Sequence, residues 1–136
     1  MSTPALVAAF YARIWNAREL GAVAELLAED FAFRGSLGDE LVGRDAFGGY
    51  VRSLHAALAD YRCEIEECVA EGERAFARMR FSGRHVAVFR GEPPTGKPVS
   101  WAGAALFALR GERIASLWVL GDLAGLDASL RANRAG

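Results

Sequence analysis

Two cysteines, two histidines and a net charge of -1 are all that 136 residues carry of these features. Cys63 and Cys68 cannot supply a disulfide framework, and they lack the paired CxxC spacing of a zinc site. Five apart on one predicted strand, they are expected to face opposite sides. His55 and His85 lie far apart with no matching cluster of acids, so no metal is expected. The near-neutral charge leaves no footprint for nucleic acid or an anionic membrane surface. No apolar run approaches the roughly 18 residues that span a bilayer. The amino end, MSTPALVAAF, has no basic segment of the secretory kind, so a cytoplasmic location is expected. There is no GxSxG elbow and no dinucleotide GxGxxG. The stretch 91–97, GEPPTGK, fits the first seven positions of a phosphate-binding loop. It fails at Pro98, where Ser or Thr is needed, and its two prolines remove backbone donors. Without repeats, low-complexity segments or linkers, residues 1–136 are expected to form one domain.

What is present is apolar and periodic. Hydrophobic residues make up 52% of the chain, enough for a sizeable core. Ser2 or Thr3 can cap a first helix with Pro4 in its first turn. Leu6, Phe10 and Ile14 then fall four apart, giving an amphipathic helix to about Asn16. Tyr11 and Trp15 form a second stripe one residue round, either as plain packing or as the wall of a cavity. A short helix is expected over Glu19 to Ala28, and a short strand with Phe31 and Phe33 ending at Gly35. A loop should run from Gly35 to Gly43. Asp45 is placed to cap a third helix, striped by Phe47, Val51, Leu54 and Leu58. His55 lies beside that stripe, partly exposed.

From Asp60 the period becomes two. Tyr61, Cys63 and Ile65 alternate with charged residues, and Gly72 marks a turn. The next strand carries Ala75, Ala77, Met79 and Phe81 on one face, bends at Gly83 and continues through His85 to Phe89. Strands over Val99–Leu109 and Ile114–Leu120 and a short closing helix complete the chain. Long antiparallel strands behind a group of helices predict an α+β layer architecture with a bent sheet and a pocket between the layers. Glu67 breaks its strand's alternation, so either a bulge turns it out or it points inward. His85 shares the parity of Met79 and Phe81 and should face the apolar side.

The last strand offers the sharpest chemistry. Ser116, Trp118, Leu120 and Asp122 share one face. A carboxyl desolvated by large apolar neighbours has a raised pKa and can serve as acid or base near neutral pH. Asp is equally a preferred cap for the helix that follows. With no nucleophile in sight, proton transfer through Asp122, His85 and Glu67 is the candidate chemistry.

The loop at 91–96 (GEPPTG), the run Arg78, Gly83, His85, and Trp118-x-x-x-Asp122 resemble the SnoaL-like polyketide cyclase family of the nuclear-transport-factor-2-like superfamily. The resemblance covers about Phe10 to Leu130. It implies a cone: a curved antiparallel sheet with three helices across its mouth, often paired as a homodimer through the sheet. It also implies intramolecular aldol closure of a polyketide ring without metal or cofactor, with Asp122 as the acid/base and His85 in the pocket. Lifting an Asp from about 3.9 to about 6 takes roughly 3 kcal/mol of differential solvation. Tyr11, Trp15, Phe33, Tyr50, Met79, Trp101, Phe107 and Trp118 are the candidate walls around a hydrophobic substrate. The superfamily also holds isomerases, dehydratases and proteins that only bind ligands. Many SnoaL-like members carry a Glu-His pair before the tryptophan, where this chain has Ser116 and Leu117.

Overall fold

The computed structural model of the chain describes residues 3–136; the alternative cap Ser2 lies outside them. One six-stranded sheet, in the order β2-β1-β6-β5-β4-β3, carries the fold. Helix α1 (Ala5–Ala9) runs on as a π-helix over Phe10–Asn16, followed by α2 (Ala22–Leu26), β1 (Leu27–Arg34), β2 (Glu40–Val42) and α3 (Arg44–Ala57). Then come β3 (Leu58–Glu71), β4 (Arg74–His85), β5 (Pro98–Arg110), β6 (Arg113–Gly121) and α4 (Leu123–Ala135). The helices α1 to α3 and the concave face of the open sheet enclose one apolar core, the α+β arrangement expected.

The four long strands β3 to β6 form an antiparallel meander, whereas β1 pairs with β6 in parallel. That parallel pair is possible because β1 and β6 are far apart in the chain, so the intervening helix and strands supply the long connection it needs. A bulge between Ile65 and Glu67 resolves the broken alternation of β3. Glu67 is turned out to solvent, where it pairs with Arg78 at 3.3 Å. The same extra residue flips the parity of everything beyond it. Cys68, opposite the buried Ala77, therefore shares the inner face with Cys63, contrary to the opposite-face expectation. Both thiols are free.

Several boundaries differ from the sequence reading. Pro4 is the N-cap of α1, without a side-chain cap from Thr3. Helix α2 stops at Leu26, because the apolar pair Leu27 and Ala28 is drawn into β1. The expected loop between Gly35 and Gly43 contains the short strand β2, paired from Ala32↔Val42 to Arg34↔Glu40. Gly43, at φ 96°, takes the cap position of α3, and Asp45 sits in the first turn instead. A carboxylate there still favours the helix, since the exposed N–H groups make that end positive. β4 ends at His85, and Phe89 is reached through a bend and an isolated bridge to Glu92.

The β4–β5 connection is tied to α4. Arg90 pairs with Asp127 at 2.6 Å, Arg134 with Glu92 at 2.9 Å, and Lys97 donates to the Asn133 carbonyl at 2.9 Å. The GEPPTG segment is thus a hairpin connection pinned by a helix. Among the described residues no helix is long and apolar enough to cross a membrane.

Candidate functional site

The π-helix carries the largest side chains of the amino-terminal segment inward. Phe10, Tyr11, Ile14 and Trp15 are all buried. Backbone bonds of the i→i−5 type hold the widened turn, as in Ala17 N–H to the Ala12 carbonyl at 2.9 Å. Such widened turns are rare and concentrate at functional sites. Asn16 anchors the segment to β3 by a reciprocal pair: its amide donates to the Cys63 carbonyl at 3.0 Å and accepts from Cys63 N–H at 2.8 Å. A side-chain amide here takes the place of a strand partner.

Together with α3 and the sheet, this segment encloses a cavity. Phe10, Tyr11 and Trp15 come from the π-helix, Phe33 and Ser36 from β1 and the loop after it, and Tyr50 and Leu54 from α3. Tyr61 and Cys63 come from β3, Phe81 from β4, and Leu117 and Val119 from β6. The enclosed space is about 290 Å³ counting its open end, but the centre of a water-sized sphere reaches only about 20 Å³ of it. That is room for about one water. The aromatic rings themselves fill most of the cone, with edge-to-face contacts such as Trp15–Tyr61 at 5.4 Å and Phe33–Phe47 at 4.8 Å. A ligand of ten or more heavy atoms enters only if these walls shift.

The polar groups of the lining are hydroxyls, one thiol and the Trp15 indole N–H; none of the twelve side chains is charged. Burial pushes the Tyr50 hydroxyl above the ordinary phenol range; the negative charge of Asp39 adds to this, and hydrogen bonds from the Ser36 side chain and the Leu37 backbone partly offset it. The contact is close: a Cβ on Gly35 would stand 2.6 Å from Tyr50 Oη. Tyr50 thus packs directly against the loop between β1 and β2. That loop also abuts β6, where a Cβ on Gly121 would meet the Ser36 carbonyl at 2.7 Å. Burial raises the pKa values of Tyr61 and Cys63 strongly, and each side chain is a polar neighbour of the other. Burial, then the nearby Cys63 and Cys68, holds Tyr11 well above the ordinary phenol range, and its hydroxyl has no partner.

Of the side chains expected to wall the pocket, Tyr11, Trp15, Phe33 and Tyr50 are brought together around it. Met79, Trp101 and Phe107 face the same interior but are packed into the core away from the cavity. Trp118 lies elsewhere: it is 46% exposed on the convex face of the sheet, with the Arg34 guanidinium over its ring at 5.5 Å. On β6 the inward residues are Leu117 and Val119, so Trp118 and Leu120 point outward.

Asp122 belongs to the outward series as well. It is exposed, and its carboxylate accepts from Gly125 N–H at 3.0 Å as the N-cap of α4. The apolar surroundings expected for it are not present. His85 is fully buried, but its Nε2–H donates to the Glu92 carbonyl at 3.2 Å and its ring packs against Phe89 rather than the cavity. Asp122, His85 and Glu67 do not converge. Among the described residues no group of three or more His, Cys, Asp or Glu side chains is placed to hold a metal ion.

Ser36, Tyr61, Cys63, Phe81, Leu117 and Val119 are lining residues not singled out as such from the sequence. For the strand residues the signal existed, since Tyr61 and Cys63 share parity, as do Leu117 and Val119. Ser36 carried none, because only the tertiary fold brings its loop to the cavity.

A cone of this construction, with a curved sheet closed by amino-terminal helices around an aromatic cavity, is the architecture of a small-molecule pocket. The model of the SnoaL-like polyketide cyclase family matches residues 5–130, and the chain belongs to that family. Solved structures agree on the fold. A candidate polyketide cyclase of Acidithiobacillus ferrooxidans is 23% identical over 98% of this chain and 99% of its own, with a TM-score of 0.84. Wild-type IdmH of Streptomyces antibioticus, a candidate polyketide cyclase, is 25% identical over 93% and 96%, at 0.81. A protein of Catenulispora acidiphila with a ketosteroid isomerase-like fold, in complex with trimethylamine, is 23% identical over 96% and 95%, at 0.80. No curated protein matches the chain.

Proposed function

We propose that this protein encloses an apolar, carbonyl-bearing small molecule in the aromatic cone and acts on it by cofactor-free proton transfer of the cyclase or isomerase kind. The observation that carries the binding half is the lining itself: aromatic rings, aliphatic groups and a few uncharged polar groups, with no charge to attract an ion. Burial of apolar surface drives entry, and the few polar groups orient the guest. Family membership supports the chemical half. Its sharpest form is aldol closure of a polyketide ring, with Asp122 taking a proton beside a carbonyl; His85, packed behind the wall, is left without contact to the guest. Isomerisation or dehydration would use the same first step. In each form Asp122 must act from the rim, where it now caps α4 beside Gly121 and the Ser36 loop.

A second reading, binding without turnover, is favoured by one observation: no carboxylate or imidazole lines the cavity. Asp122→Asn separates the two. Asn caps a helix as well as Asp does, so the fold survives while the basic carboxylate is lost. Under the catalytic reading, turnover of a linear polyketide mimic falls at least a hundredfold, the usual scale of a lost general base. Turnover equal to that of the wild type removes Asp122 from the mechanism. Tight binding with no turnover in either protein establishes the second reading.

We also propose that the convex face pairs two copies. Val69, Phe76, Leu106 and Trp118 are successive cross-strand neighbours on β3 to β6, all exposed. With Leu120 they make an apolar band that no helix covers, and contiguous patches of this kind mark association surfaces.

A further inference from the structure

Three side chains among the described residues bury a polar atom without a partner: Tyr11 through Oη, His85 through Nδ1 and Trp101 through Nε1. Of these only Tyr11 lines the cavity. Desolvating a hydroxyl without a hydrogen bond is unfavourable, and native structures leave few such groups. The neighbouring hydroxyls are already engaged. Tyr50 has Ser36 and Leu37 beside it and Tyr61 has Cys63, and neither hydroxyl is among the buried unpartnered atoms. Tyr11 also stands on the π-helix, a widened turn tied to β3 by the Asn16 clamp. Two independent features, an orphaned donor and an uncommon backbone, thus fall on the same residue.

Resting on the cavity reading above, we infer that Tyr11 Oη is the specificity-determining donor of the pocket and that its partner is an uncharged carbonyl oxygen of the ligand. The phenol keeps its proton through the whole working pH range, since burial opposes ionisation. It therefore offers an O–H and no charge. A carboxylate guest would find no cation in the lining and would lose its hydration without compensation. A ketone or aldehyde loses little on entry and regains one hydrogen bond. The bond also draws electron density toward the oxygen, which is the polarisation that proton removal from the adjacent carbon requires.

Two bicyclic probes of nearly the same shape, 2-tetralone and tetralin, test the assignment on wild-type protein and Tyr11→Phe by calorimetric or NMR titration. The expected result is a roughly 3- to 10-fold weaker Kd for 2-tetralone in Tyr11→Phe, the scale of one neutral hydrogen bond, with tetralin binding no worse. The carbonyl stretch of bound 2-tetralone lies at lower frequency in the wild type than in the variant. Without ligand, Tyr11→Phe melts no lower than the wild type, because the hydroxyl has no partner inside the protein. Equal Kd values and equal stretching frequencies in the two proteins overturn the assignment while leaving the cavity reading intact. A lower melting temperature of free Tyr11→Phe overturns it too, by revealing a structural partner. Failure of both probes to bind the wild type overturns the cavity reading and this inference together.

Discussion

Tyr50→Phe removes one oxygen atom and is expected to destabilise the protein far more than its size suggests. The hydroxyl stands against the loop between β1 and β2, where Ser36 and Leu37 are the polar groups that favour its ionised form. Ser36 is buried. Deleting the acceptor leaves donors without a partner at a site where water enters poorly, at about 1–3 kcal/mol for a buried unsatisfied group. Stabilities of single domains lie near 5–15 kcal/mol, so the loss is a visible fraction. For a chain of this length each kcal/mol shifts Tm by roughly 3–5 °C, which predicts a drop of about 3–15 °C. Tyr11→Phe is the control: the same atom is removed from an equally aromatic setting, but no partner is lost. Its stability should equal or exceed that of the wild type by up to about 1 kcal/mol. Urea unfolding of the three proteins, compared at constant m-value, measures both numbers. The reasoning is refuted if Tyr50→Phe unfolds with the wild type, or if Tyr11→Phe loses as much as Tyr50→Phe does.

Two further outcomes follow from individual contacts. Burial lowers the pKa of His55, against the opposing hydrogen bond to the Trp15 carbonyl and with Arg18 adding to the decrease. The unfolded chain therefore binds the proton more readily; the stabilisation is complete above the unfolded pKa of about 6.5 and is lost as pH falls below it. His55→Gln should flatten the fall in Tm between pH 7 and pH 5, and an unchanged slope would remove His55 as its source. On the convex face, Trp118→Glu with Leu120→Glu should turn a sheet-paired dimer into a monomer by sedimentation at micromolar concentration; a dimer that persists places the interface elsewhere.

The architecture was readable because each layer has its own period. The stripe of α3 and the alternation of β3 to β6 announce helix and strand directly. The side of the sheet that faces the cavity was not readable for β6. There Leu117 and Val119 are apolar on one face and Trp118 and Leu120 on the other, so alternation fixes which residues share a face but not which face is covered. The grouping of Trp118 with Asp122 was correct, and its inward placement was not. Covered by helices, the inner face is the one bearing Leu117, and the outer set is left to solvent. A one-residue bulge misled the reading of Cys68 for a related reason, since it reverses parity without any mark beyond the misplaced Glu67. The π-helix is invisible to a search tuned to 3.6 residues, although the paired stripes of Phe10, Ile14 and Tyr11, Trp15 are its trace. Tyr11 and Trp15 remained open between packing and cavity wall; they do both.

The central claim is that the aromatic cone, and not the convex apolar band, takes the small molecule. Intermolecular NOEs between protein and bound tetralin test it most directly. Contacts to the rings of Tyr11, Phe33 and Phe81 and to the methyl groups of Val119 are expected, with none to Trp118 or Leu120. Contacts confined to Trp118, Leu120 and Phe76, with the interior rings silent, would contradict it.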